Sequence, residues 1–182
     1  MRDILKLTLE LTLIAAISAG LLAFVSTRTK PARERAAEAR RLEAVRKVLH
    51  IDGDEAFRYD EKHGVYLVEK DGHVAKAAAE SVSTHGYGGP VKIVVAADSS
   101  GTIIDFAVVE ASETPGLGAK IAGEGFIAGL RGKMLDSDWR VRRDGGEIDA
   151  VTSATISSRA ACEASASAIP RLRAAIGRAD SR

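Results

Sequence analysis

The chain has 182 residues, enough for one domain of ordinary size and an added segment. Lys and Arg number 26 against 25 Asp and Glu, so there is no basic excess for a nucleic acid to meet. A single cysteine, Cys162, excludes an internal disulfide, and His50, His63, His73 and His85 form no H-x-x-H or H-x-x-x-H pair suited to a metal. Aromatics make up 4% of residues, so the core is expected to rest on Val, Ile, Leu and Ala.

In chain order, the first element is an apolar run from Leu7 to Val25, broken only by Thr8, Glu10, Thr12 and Ser18. As a helix it is about 28 Å long, close to the hydrocarbon thickness of a bilayer. A retained membrane anchor over 1–30 is expected; the rival reading is a cleaved signal peptide with Arg2 and Lys6 as its basic region. No clear A-x-A site follows the run, and it is long for a signal core. Arg28, Lys30, Arg33 and Arg35 follow the run, which by charge alone keeps the rest of the chain in the cytoplasm.

Pro31 fits the first turn of a helix, and 31–52 reads as a charged linker with Leu42, Val45, Val48 and Leu49 at helical spacing. Beyond Gly53 the period changes. Val65–Glu69 reads as a strand, Asp71-Gly72 as a hairpin turn, and a second strand follows. Val91–Ala97 and Thr102–Glu110 are strands on either side of a turn at Asp98-Ser99-Ser100-Gly101. A Gly-rich loop spans Ser112–Gly118, and Lys120–Leu130 reads as a short helix. Trp139–Arg142 and Glu147–Ala150 are expected to pair as a hairpin around Asp144-Gly145-Gly146. Ser157–Ile176 is an Ala-rich helix with a kink or restart expected at Pro170. Cys162 lies in it and reads as a small buried hydrophobe. Hairpins with segregated helices define an α+β domain over 53–176, followed by a tail at 177–182.

Two segments carry chemistry. In Asp149-Ala150-Val151-Thr152-Ser153-Ala154-Thr155-Ile156-Ser157-Ser158, hydroxyls and small side chains crowd a helix start. Free N–H groups and the helix dipole there suit a phosphate, and the same residues also suit an ordinary helix cap. In Glu113-Thr114-Pro115-Gly116-Leu117-Gly118-Ala119-Lys120-Ile121, two glycines allow positive φ or close ligand approach, and a plain turn explains them equally.

The phrases E-T-P-G-L-G-x-K-I and D-x-x-T-x-A-T-x-S together resemble the signature of the covalent FMN-binding domain. That domain occurs in the G subunit of the Rnf ion-translocating complex and in the C subunit of the sodium-translocating NADH:quinone reductase. Gly86-Tyr87-Gly88-Gly89-Pro90-Val91 and the short anchor are also similar to the Rnf protein. The resemblance implies an FMN phosphoester on Thr155, made by a separate flavin transferase whose recognition pattern includes Asp149. It implies flavin contacts from Thr152, Ser153, Ala154, Glu113, Thr114, Gly116, Leu117 and Gly118, with no catalytic residue and no metal. Ser153 stands where the family has glycine.

The implied function is an electron-relay flavoprotein of a membrane-bound ferredoxin:NAD oxidoreductase, with no substrate turnover of its own. Its implied partners are the other membrane subunits and the lipid bilayer. The resemblance places the flavin domain outside the cytoplasm, against the charge rule. The alternatives are the C subunit of the quinone reductase and a flavin-binding sensor or interaction module.

Overall fold

The computed structural model describes residues 1–51, 55–111 and 118–177. It divides into two units, Met1–Arg40 and Arg41–Arg182.

The first unit is helical and belongs to α1 (Arg2–Val48). Its large apolar side chains, among them Leu13, Ile17, Leu21 and Phe24, are exposed, and the stretch is long and apolar enough to cross a membrane. Thr8 and Thr12 donate their hydroxyls to the carbonyls of Ile4 (2.9 Å) and Thr8 (2.7 Å). Such bonds satisfy both hydroxyls within the helix, without water. Pro31, expected in the first turn of a helix, lies inside α1. The good helix formers on both sides keep the turn helical, because propagating a helix is cheaper than nucleating a new one.

The second unit begins with the last turns of α1. This helix ends where His50 turns left-handed (φ 49). There the Ile51 N–H bonds Arg46 O and the His50 N–H bonds Lys47 O, each at 3.1 Å. This Schellman closure satisfies two carbonyls that the helix would otherwise leave free.

Five strands follow: β1 (Arg58–Asp60), β2 (Val65–Lys70), β3 (His73–Ser83), β4 (Val91–Asp98) and β5 (Ile103–Ala111). They form one antiparallel meander in the order β1-β2-β3-β4-β5. Asp71 (φ 54) and Gly72 (φ 80) make the expected two-residue turn, whose twist matches that of the strands. β1 is a strand that the sequence pattern does not signal.

The expected helix over Lys120–Leu130 is split into a 3₁₀ turn, Gly118–Ala122, and α2 (Glu124–Leu130). Gly123 separates them, with its N–H bonded to Lys120 O. The expected hairpin around Asp144 does not form. Val141 and Ile148 meet in a single parallel bridge, and Arg142–Asp144 is a 3₁₀ turn closed by left-handed Gly145 (φ 86). The alternation of Trp139 and Val141 comes from packing into the core rather than from strand pairing. Gly146 passes so near Arg140 that a Cβ there would lie 2.1 Å from the Arg140 carbonyl oxygen.

α3 (Thr155–Ile176) closes the domain and continues through Pro170 without the expected restart. Leu172, Ala175 and Ile176 bury in the same core as the turns before the proline.

The sheet is buried on both faces. Val65, Leu67, Ala77, Ala79, Ile93 and Val95 pack with Ala160, Ala161, Ala164 and Ala168 of α3. Tyr66, Val68, Ala78, Val94 and Ala96 pack with Val45, Val48 and Leu49 of α1. Alanine on both sides of the first interface lets helix and sheet approach closely, so few aromatics are needed to fill it. The α+β class and the core of small aliphatic residues are as expected.

Candidate functional site

The ends of three strands meet in one place. Ser83, the last residue of β3, pairs with Val91, the first of β4, and Val91 pairs with Ala111, the last of β5. The segment 84–90 and the chain leaving β5 therefore emerge at the same end of the sheet. α3 runs antiparallel to β3. Its Glu163 meets Ser83, whereas Arg171, eight residues later, donates to the carbonyls of Glu80 and Gly64. The first turns of α3 thus lie beyond the end of β3, beside these segments.

Thr155 is the first residue of α3 and is half-buried; Thr152 and Ser153 are exposed, and Ala154 is buried. No side chain caps the helix, because its N-cap is Ala154. The cap expected as one reading of the Ser/Thr cluster is therefore not made at the N-cap.

Ser153 has φ 67, one of three described non-glycine residues with positive φ. A side chain in that region costs roughly 1 kcal/mol relative to glycine. The loop is held from behind by Ser158, which sequence reading did not single out. Its fully buried hydroxyl accepts the Val151 N–H (3.0 Å) and donates to Ala154 O (2.9 Å). In the sequence it is one more hydroxyl after Ser157, with nothing to set it apart.

Gly118 opens the 3₁₀ turn Gly118–Ala122. Glu113, Thr114, Gly116 and Leu117, expected as flavin contacts, lie outside the described residues. Asp149 is exposed and accepts from Arg142 Nε (2.6 Å). Arg159, one turn into α3, grips Asp144 with two bonds of 2.6 Å and holds that carboxyl below its ordinary range. Burial pushes the Cys162 thiol up to about 12, with the Asp144 charge adding to the effect, so it stays protonated and inert.

On the other face of the sheet, Asp105 is 4% exposed. Burial pushes its carboxyl up, but His50 Nε2 (3.0 Å), the Phe106 N–H (2.8 Å) and Arg131 Nε (3.0 Å) outweigh this and lower it.

Known proteins share this fold. Residues 86–170 match the family model of the FMN-binding domain. The crystal structure of Shewanella oneidensis NqrC has the same fold, with a TM-score of 0.52, 20% identity and 71% of each chain covered. The class is therefore that of FMN-binding domains.

The G subunit of the ion-translocating oxidoreductase complex of Photorhabdus laumondii is 33% identical over 171 residues, 84% of this chain and 82% of that one. The corresponding G subunit of Vibrio vulnificus is 39% identical over 117 residues, 61% of this chain and 56% of that one. The chain belongs to the G-subunit family of ion-translocating oxidoreductase complexes.

Proposed function

We propose that this chain is the electron-relay subunit of a membrane-bound, ion-translocating ferredoxin:NAD oxidoreductase of the Rnf type, with FMN joined through its phosphate to Thr155. The observation that carries the reading is the uncapped start of α3 with the Thr155 hydroxyl in its first turn. Unpaired helix N–H groups and the helix dipole stabilise a phosphate. A phosphoester on Thr155 places that phosphate among them. The exposed hydroxyls of Thr152 and Ser153 and the small side chain of Ala154 suit the same group.

Once attached, FMN accepts and donates electrons, which no side chain of this chain does. The chain's part is to hold it. Thr155 supplies the bond, Ser158 fixes the loop, and Glu113, Thr114, Gly116, Leu117 and Gly118 complete the contacts. Asp149 serves recognition by a flavin transferase. The chain has no substrate turnover of its own. Residues 1–30 anchor it in the cytoplasmic membrane, 31–52 link, and 53–176 form the flavin domain on the extracytoplasmic side beside the other membrane subunits.

The test is co-expression with a flavin transferase, denaturation, and in-gel flavin fluorescence. The unsubstituted chain is expected to fluoresce and Thr155→Val to be dark; a fluorescent Thr155→Val overturns the attachment site. Protease added to spheroplasts is expected to digest the domain, and full protection overturns the topology.

A further inference from the structure

A second polar group is built at the same end of the sheet. Ser83, 3% exposed, donates its hydroxyl to Glu163 Oε2 (2.7 Å) and accepts the backbone N–H of His85 (3.2 Å). His85 Nδ1 lies 2.9 Å from Glu163 Oε2 and 3.0 Å from Oε1. An ionised carboxylate only accepts, so the proton between them belongs to Nδ1. This leaves Nε2 for another partner, on a side chain that is 74% exposed. The Ser83 bond, then the His85 bond, hold the Glu163 carboxyl below its ordinary range against the opposing effect of burial. An ion pair this exposed contributes little to stability. Its consequence is orientation: the carboxylate fixes the tautomer and the plane of the ring.

The position of this imidazole relative to Thr155 follows from helix geometry. Glu163 is eight residues after Thr155, about 12 Å along the helix axis. At 3.6 residues per turn, Thr155, Ile156, Arg159 and Glu163 fall on one strip of α3. The last three of these are exposed. Apolar side chains are exposed at the start of the strip and close in sequence to the imidazole. Ile156 is 45% exposed beside Thr155, and Tyr87, two residues beyond His85, is 64% exposed. Among the described residues of the second unit, the other exposed large apolar side chains are Tyr59, Val82 and Met134. A planar, partly apolar ring tethered at Thr155 meets Ile156 first and the imidazole at the far end.

We propose that the strip from Ile156 to Tyr87 seats the flavin ring, and that His85, held by Glu163, exchanges the proton that accompanies flavin reduction. The proposal rests on the reading of Thr155 as the flavin attachment site. Electrons come from a reduced one-electron carrier of the same complex. As two of them arrive, the Nε2–H bond of the His85 imidazolium breaks and an N–H bond forms on the flavin ring. The neutral imidazole then takes a proton from water, and oxidation reverses the sequence. Among the described residues, the charged and titratable groups nearest the imidazole come from α3, its own segment and β4. Glu163 and Arg159 come from α3, with Arg159 engaged by Asp144. Tyr87 comes from the imidazole's own segment, and Lys92, early in β4, is paired with Glu110.

The experiment uses the full chain, flavinylated and purified in detergent. In-gel fluorescence measures loading, and rapid mixing with a pH-indicator dye follows proton uptake on flavin reduction. His85→Gln is expected to load fully and to slow proton uptake on reduction by about a hundredfold, with rescue by added imidazole. Glu163→Gln keeps the ring but loses the carboxylate that orients it, so proton uptake slows by about tenfold. If His85→Gln loads poorly, the slowed uptake of Glu163→Gln decides. A loaded His85→Gln that takes up its proton as fast as the unsubstituted chain overturns the role of His85 and leaves Thr155 standing. An unsubstituted chain that carries no flavin overturns both.

Discussion

The two ends of the sheet are closed in different ways. At one end, β2 joins β3 through Asp71-Gly72, and β4 joins β5 through a short turn in which Asp98 Oδ1 accepts from the Ser100 N–H (2.9 Å), the Thr102 N–H (3.0 Å) and the Ser100 hydroxyl (2.6 Å). Those turns are complete in themselves. At the other end β1 joins β2 through a turn closed on Asp60, while the ends of β3 and β5, the start of β4 and the start of α3, which carries no side-chain cap, meet around the longer segment 84–90. The strained backbone of Ser153 and the Ser83–His85–Glu163 group are also there. The short turns only join strands, whereas the longer segment 84–90 and α3 bring polar side chains together at one end.

Substitutions at the two ends are expected to separate stability from flavin loading. The largest effect is expected from Gly146→Ala, because its Cβ would collide with the Arg140 carbonyl. A loss of about 3 kcal/mol, read by thermal unfolding of the full chain in detergent, would disorder the approach to α3 and lower flavin loading with it.

Asp105→Asn, on the face away from α3, is expected to cost about 2 kcal/mol at neutral pH by weakening bonds to His50 and Arg131 while leaving loading unchanged. The pH dependence has a definite sign. The folded carboxyl lies below its ordinary value, so its stabilisation is present above about pH 4 and is lost as pH falls through the folded value. The gap between the unsubstituted chain and Asp105→Asn should therefore close on acidification below about pH 4; a gap of constant size contradicts the assignment.

Ser158→Ala is expected to cost about 1.5 kcal/mol and to reduce in-gel fluorescence, since it strands the partly buried Val151 N–H. Asp98→Ala is expected to cost about 1 kcal/mol at the opposite end with fluorescence intact. If Asp98→Ala lowers loading as much as Ser158→Ala does, the separation of the two ends fails. The smallest effect belongs to Ser153→Gly, which releases a left-handed serine and should stabilise by about 0.5 kcal/mol, with loading equal or higher. A destabilised Ser153→Gly would show that the serine hydroxyl is worth more than the strain it imposes.

Much of the fold was legible in the sequence. Strands β2, β4 and β5, the Asp71-Gly72 turn and α3 fall within two or three residues of their expected bounds, because each has a period or a turn residue that acts locally. The region 139–150 misleads because Trp139 and Val141 alternate as strand residues do. That alternation records burial, and burial without a pairing partner makes no strand. Of the candidate site, the Thr152–Thr155 segment was legible as a helix start rich in hydroxyls. Ser158 and the Ser83–His85–Glu163 group were not, because Ser83 and Glu163 are eighty residues apart in sequence.

By itself the sequence determined the apolar helix, the β2–β3 and β4–β5 turns with their strands, and the hydroxyl-rich start of α3, since spacing, turn chemistry and side-chain size act over a few residues. It also marked Ser153 as the odd residue of its motif. Only the tertiary structure decided that α3 lies antiparallel to β3, and that direction brings the end of β3, the start of β4 and the first turn of the helix together. The physical reason is packing. Alanines on α3 and on the sheet fit at close range, and the helix that buries them carries Thr155 and Glu163 past the end of β3 on the strip it leaves exposed.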